Sequence, residues 1–349
     1  MNAPAVPPAP AAARRSKAPL GVNITGTGSC LPATPLTNAD LEKVMETSDE
    51  WIVQRTGIHS RYRIDPARGE STHTLAAEAL RRALAAAGLS ATDLDLIIVA
   101  TMTPEMSCPA TACRVAADVG ASRAGAFDLN AACSGFVFGL NTAHDLIKGG
   151  AYRRIAVVGA DCLSTLMDYS TAGRGTAIIF GDAAGAAIVE ACDDPGKGIL
   201  AQSMHCDGDG WKEIYVPECE RDFPEGVACD PSKYGHVQMN GAAVFKFAVG
   251  TFSDLIQETL DAAGVTATDL DMLVCHQSNM RILQSARERF GLPEEKLYVN
   301  IDRVGNTVGA SVPLCLDELR RAGRIAPGQK VMFVAFGGGL TWGSSLWQL

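Results

Sequence analysis

No apolar run in the chain approaches the ~18 residues that a membrane-spanning helix needs. Its eleven cysteines include no zinc-type CxxC pair, so they read as reduced thiols of a cytoplasmic protein, used mainly in packing. Basic surplus is also missing. Thirty Lys and Arg stand against 39 Asp and Glu, a formal charge of −9, which excludes a nucleic-acid binder working through a basic face and leaves any anionic ligand dependent on local cations. Gly26-Thr27-Gly28 lacks the third glycine of a dinucleotide fingerprint because Leu31 occupies its place. Asp207-Gly208-Asp209-Gly210 opens like a calcium loop, but Lys212 stands where the turn requires glycine, so no metal is expected there. His59, His73, His144, His205 and His236 stand without partners at metal-ligand spacing and read as structural or surface residues.

What remains is a 349-residue chain with 47% hydrophobic residues, enough for two domains or one large duplicated unit. Residues 1–20, rich in Ala and Pro, read as a disordered tail. They hold no segment apolar enough for a secretory signal, and their arginines fit an organelle transit peptide only at an unusually short length. Ordered structure is expected from Gly21, with a strand at Val22–Thr25. Thr47 with Glu50 matches a capping box for a short helix ending at Gly57, on which Trp51 and Arg55 share a face. A helix is expected over Thr72–Ala87, a buried strand over Leu94–Thr101, a helix from Pro109 to Val119, and strands at Ala126–Asn130, Ile155–Gly159, Thr176–Phe180 and Ala184–Val189. This alternation is doubly wound α/β.

Two further patterns stand out. Leu84–Thr101 and Leu260–Gln277 share half their positions at a shift of 176, and the same shift carries Arg154–Gly159 onto Lys330–Ala335 and Asn130 onto Asn306. Two duplicated halves follow, 21–195 and 196–349. Cys133 lies between the strand ending at Asn130 and a helix over Gly135–Lys148, where Phe136, Leu140, His144 and Ile147 recur at helical spacing. A helix N-terminus favours a thiolate, so the position suits a nucleophile with a lowered pKa. It equally suits a small buried hydrophobe. Open α/β sheets gather ligands beyond the carboxyl ends of their strands, where Cys133, His276 and Asn306 should all lie. A cysteine, a histidine and an asparagine so placed can support acyl transfer through a thioester.

From Gly21 to Leu349 the chain resembles β-ketoacyl-acyl carrier protein synthase III, the initiating condensing enzyme of the thiolase superfamily. The motifs are TSDEWIVQRTGI at 47–58, AACSGF at 131–136, GRGTAIIFGDAAGA at 173–186, HQSNMRI at 276–282, GNTVGASVP at 305–313 and AFGGGLTWGS at 335–344. The resemblance implies a five-layered αβαβα thiolase fold, usually a homodimer, with Cys133, His276 and Asn306 as a catalytic triad and the N–H groups of Cys133 and Gly338 as oxyanion donors. It further implies acyl-coenzyme A and malonyl-acyl carrier protein as substrates, with no metal or redox cofactor. Thr47, Trp51, Arg55, Arg174 and Asn279 would meet coenzyme A, and Lys246 and Arg281 would dock the carrier protein. Cys108, Phe336 and Leu340 would bound the acyl pocket, Cys108 from the neighbouring subunit. The small Cys108 and the non-aromatic Leu340 leave primer length open. A related acyltransferase or a specialised condensing enzyme of secondary metabolism would need the same cysteine. A non-catalytic partner subunit would be expected to lose it. A thiolase proper would need a second catalytic cysteine, and Cys275, beside His276 on an alternating strand, should point to the opposite face.

Overall fold

The computed structural model describes residues 21–349, so the expectations for residues 1–20 lie outside the described part. Strands β1 (Gly21–Cys30), β2 (Leu96–Ala100), β3 (Gly125–Leu129), β4 (Arg154–Asp161) and β5 (Ala183–Cys192) form one sheet in the order β1-β5-β4-β2-β3. A second sheet is built from β6 (Gly198–Cys206), β7 (Met272–Cys275), β8 (Lys330–Gly337) and β9 (Thr341–Gln348) in the order β7-β8-β9-β6. Parallel pairing occurs where a helix crosses over, at β2 with β3 and β4 and at β7 with β8. The other ladders of both sheets are antiparallel.

The helices sort into three layers. Helices α1 (Asp49–Thr56), α2 (Thr72–Ala87), α3 (Thr111–Val119), α4 (Gly135–Lys148), α5 (Gly241–Ala263), α6 (Met280–Arg289) and α7 (Ser311–Arg321) carry the argument. Alternating strand residues fix the stacking, because successive side chains face opposite sides. Ile98, Ile155 and Val157 of the first sheet and Val274, Val331 and Phe333 of the second enclose Phe136 and Leu140 of α4 and Val312 and Leu316 of α7. The opposite faces pack on α2 and α3 through Ile97, Val99 and Val158, and on α5 and α6 through Leu273, Met332 and Val334. The result is αβαβα.

The shift of 176 recurs in the structure itself. It carries β4 onto β8, the 3₁₀ turn Ala132–Ser134 onto Val308–Ala310, and the start of α4 at Gly135 onto that of α7 at Ser311. Even the unusual backbone is repeated, with φ +46° at Ala132 and +51° at Val308.

Four local expectations are corrected. β1 runs to Cys30, well past Thr25. The cap of α1 is Ser48, whose Oγ accepts from the Trp51 N–H at 3.2 Å, while the Thr47 hydroxyl is buried without a partner. Pro109 lies ahead of α3, whose first N–H groups, those of Thr111 and Ala112, donate instead to the Asp128 carboxylate at 2.7 Å each. Thr176–Phe180 is no strand. Arg174–Ala177 forms a short helical turn and Phe180 makes a single bridge to Asn306, because tertiary placement at the site overrides β propensity.

Candidate active site

Cys133 occupies the 3₁₀ turn that joins β3 to α4. Thr341 at the start of β9 clamps this turn: its Oγ1 donates to the Ala131 carbonyl at 3.1 Å, and its own carbonyl accepts from Ser134 Oγ at 3.1 Å. Behind the turn, a Cβ built on Gly337 would stand 2.7 Å from the Cys133 nitrogen, so only glycine lets the end of β8 come this close.

Two cavities meet at Cys133. One, of about 420 Å³, is lined by Trp51, Arg55, Asn279, Asn306 and Phe336 among others. The other, of about 1040 Å³, has Met102, Leu163, Leu166, Val216 and Val237 among its lining residues. Cys133, Phe180, Ile214 and Gly338 belong to both, so the thiol stands at the waist between them.

His276 lies just past β7, held by its N–H to the Val334 carbonyl at 2.8 Å, and its ring meets Phe336 edge-on at 5.5 Å. Burial pushes its pKa down to about 3, so the imidazole is neutral at physiological pH. Its Nδ1 is buried without a partner. Next to it the buried Gln277 ties the strand end in place, donating to the carbonyls of Cys275 and Tyr298 and accepting from the N–H groups of Asn300 and Ile301. Asn306 is fixed at both main-chain ends, its N–H to Ile179 O at 3.0 Å and its C=O from Gly181 N at 2.9 Å. The Val308 N–H donates to its Oδ1 at 2.9 Å, which leaves the amide NH₂ as the end available to a ligand.

The expected lowering of the Cys133 pKa is reversed in the resting site. Burial pushes the thiol well up, the Asp161 charge pushes it further, and only its own backbone N–H acts the other way. Desolvation of a small anion exceeds what one helix terminus offers.

At the mouth of the smaller cavity the Arg55 and Arg174 guanidiniums lie 4.1 and 5.0 Å from the Trp51 ring, and Arg174 also donates to the Glu46 carbonyl at 2.6 Å. Asn279 caps α6, and its side chain is committed to the Arg55 carbonyl and the Arg281 N–H. Thr47 is absent from the lining of both cavities. Arg281 is exposed and stands 5.7 Å from the Phe245 ring, beside the exposed Lys246 on α5.

Phe336 and Leu340 line the smaller cavity and not the larger one, whereas Gly339 and Thr341 of the same turn line the larger. Cys108 is exposed and lines neither cavity of its own chain. Cys275 is fully buried in the outer core and lines neither cavity. Sequence reasoning did not single out Gln277, Phe180, Ile214 or Asp161. The HQ and GD dipeptides inside the quoted motifs were the available signals for the first and for the turn after Phe180.

Among the described residues no group of three or more His, Cys, Asp or Glu is placed to hold a metal, and no helix is long and apolar enough to cross a membrane.

Comparison with known proteins follows the same lines. Residues 127–208 match the family model 3-oxoacyl-(acyl-carrier-protein) synthase III, and residues 260–349 match its C-terminal counterpart. A β-ketoacyl-(acyl-carrier-protein) synthase III of Caldanaerobacter subterraneus subsp. tengcongensis is 45% identical over 327 residues, which cover 94% of this chain and 97% of that protein. The crystal structure of 3-oxoacyl-(acyl-carrier-protein) synthase III from Aquifex aeolicus superposes with a TM-score of 0.86 at 39% identity, covering 94% of this chain and all of that one. The priming β-ketosynthase of the R1128 polyketide pathway gives 0.87 at 34% identity, covering 96% and 98%. A cysteine at the waist of two cavities, an asparagine amide turned into one of them and a likeness spanning both halves lead to one conclusion: the chain belongs to the 3-oxoacyl-(acyl-carrier-protein) synthase III family of thiolase-fold condensing enzymes.

Proposed function

We propose that the protein condenses an acyl-coenzyme A primer with malonyl-acyl carrier protein through an acyl group on Cys133. The observation that carries this is the waist: one thiol is reached from a cavity with aromatic and cationic groups at its mouth and from a roomier one with Met102, Leu163, Leu166, Val216 and Val237 in its walls. The nucleotide of coenzyme A enters at Trp51, where an indole can stack on a flat base and Arg55 and Arg174 can meet phosphates. The pantetheine arm then fills the smaller cavity and the acyl chain passes Cys133 into the larger one.

The Cys133 sulfur attacks the thioester carbonyl, and the proton it gives up ends on the departing coenzyme A sulfur. The N–H groups of Cys133 and Gly338 hold the oxyanion, and the coenzyme A thiolate leaves. In the second half-reaction the C–C bond to the malonyl carboxylate breaks and carbon dioxide departs, leaving its electron pair as an enolate. The neutral imidazole of His276 and the Asn306 NH₂ donate to the enolate oxygen. Its carbon then attacks acyl-Cys133, which leaves as thiolate. Electrons balance without oxidant or reductant.

Lys246 and Arg281, exposed near Phe245 at the cavity lined by Trp51, give a chain of net −9 a local cationic patch suited to an acidic carrier protein. The half-exposed edge strand β3, with Phe127 38% exposed, supports a homodimer formed edge to edge. Mass spectrometry after incubation with acetyl-, butyryl- and octanoyl-coenzyme A tests the reading. One acyl mass should appear on the wild type and none on Cys133→Ala; labelling that persists in the variant would sink the assignment. The size of the larger cavity, about 1040 Å³, favours primers longer than acetyl within the same chemistry.

A further inference from the structure

Asp161, the last residue of β4, is buried beneath the site, and the mechanism above gives it no part. The repeat shows what it is. At the shift of 176 Asp161 corresponds to Gly337, and Cys133 corresponds to Gly309. The two pairs touch in equivalent ways. Gly337 backs onto the Cys133 nitrogen, where a Cβ would approach to 2.7 Å. In the other half the Gly309 N–H donates to Asp161 Oδ2 at 2.9 Å, and a Cβ on Gly309 would lie 3.0 Å from that oxygen. The fold therefore builds the nucleophile's N–H twice. One copy is kept clear by a glycine; the other is filled by an internal carboxylate.

We propose that Asp161 is a positioning residue for the condensation: its carboxylate permanently occupies the second half's counterpart of the Cys133 N–H pocket, anchors the turn that follows Asn306, and presents a negative charge to Cys133. Its Oδ1 accepts from Met102 N at 2.8 Å and from the hydroxyls of Thr101 and Thr103 at 3.2 Å each. The Val308 N–H on the same turn bonds Asn306 Oδ1, so the anchor reaches the Asn306 amide in two steps. No ion pair offsets the charge among the described residues, and burial raises the carboxyl to about 7, where it is part-protonated under working conditions.

The titratable groups around it are few. Cys133 faces it from the nucleophile turn. Cys162 follows it in the chain, and that thiol also faces Asp182 and Glu105. His276 lies beyond Phe336 and stays neutral. Removing the Asp161 charge must therefore ease ionisation of Cys133, while loosening the turn must impair what Asn306 does.

The inference rests on the roles given to Cys133 and Asn306, and the test separates the two. Iodoacetamide labelling is followed at the Cys133 peptide by mass spectrometry across pH, in wild type and Asp161→Asn, with acyl transfer and carbon dioxide release from malonyl-acyl carrier protein measured alongside. If wild-type activity survives full labelling of Cys133, the reading of the site fails. If labelling abolishes activity, Asp161→Asn should move the labelling midpoint down by about one pH unit, keep acylation, and lower carbon dioxide release about tenfold. Should that variant not fold, Thr101→Val removes one of the donors that hold the carboxylate in place, and should keep acylation while lowering carbon dioxide release by less. Carbon dioxide release left intact in whichever variant folds overturns the inference, as does a Cys133 profile that Asp161→Asn does not move.

Discussion

At the scale of single residues, the site depends on which groups are charged. His276 is buried and neutral, and a neutral imidazole can donate to a thioester oxygen without carrying a positive charge into the apolar interior. His276→Ala and Asn306→Ala should each retain self-acylation of Cys133 and lose condensation about a hundredfold or more, the scale seen when a preorganised oxyanion donor is removed. Loss of acylation in both would move them to the first half-reaction. The same burial links His276 to stability. Its folded pKa, about 3, lies below the ordinary 6.5, so between those values the unfolded chain binds the extra proton and stability falls as pH falls. Asp161, raised to about 7, acts in the opposite sense, losing its contribution as pH rises from 4 toward 7. Urea unfolding of wild type and His276→Ala at pH 7 and pH 5 isolates the first effect. The wild type should lose more stability on acidification than the variant does.

Elements were legible where local chemistry decides them. Thr72–Ala87 and Gly135–Lys148 form the helices that their spacing and flanking residues imply, since glycine just past a helix and apolar residues at helical intervals act within a turn or two. The repeat was legible because two copies of one fold keep their turns in register. Other features depend on contacts distant in sequence. Asp128 caps α3 from a neighbouring strand, Thr341 clamps the cysteine turn from some two hundred residues away, and Thr176–Phe180 bends to meet Asn306. Cys133, His276 and Asn306 could be named because each sits at an element end. The resting pKa of Cys133 could not, because it depends on how completely the assembled layers exclude water. Gly337 is one such distant contact, and its substitution is informative. Gly337→Ala puts a methyl 2.7 Å from the Cys133 nitrogen, which forces the turn aside. Acylation by octanoyl-coenzyme A should fall at least about tenfold, while circular dichroism stays close to that of the wild type.

For the whole molecule, the larger cavity extends to the loop ahead of α3. Met106 and Ser107 line it, and the next residue, Cys108, faces away into solvent. If a second copy pairs along β3, its Cys108 is the residue proposed to approach this cavity, and a small side chain there leaves room for the primer. Cys108→Phe should then shift relative kcat/KM toward acetyl over octanoyl by about an order of magnitude, each buried methylene being worth ~0.8 kcal/mol. Light scattering should show the same dimer in both proteins. An unchanged ranking would remove Cys108 from the pocket.

The waist at Cys133 also has a consequence in time. Because Cys133 lines both cavities, the proposed reaction lets the acyl chain stay parked on one side while coenzyme A withdraws from the other, and the vacated arm is then the passage for the carrier protein's arm. Both thioesters cannot occupy it together. Turnover must therefore alternate, one product leaving before the second substrate arrives, and initial rates plotted in double-reciprocal form should give parallel lines. Coenzyme A should compete with malonyl-acyl carrier protein for the acylated enzyme, making the passage a turnstile as well as a binding site.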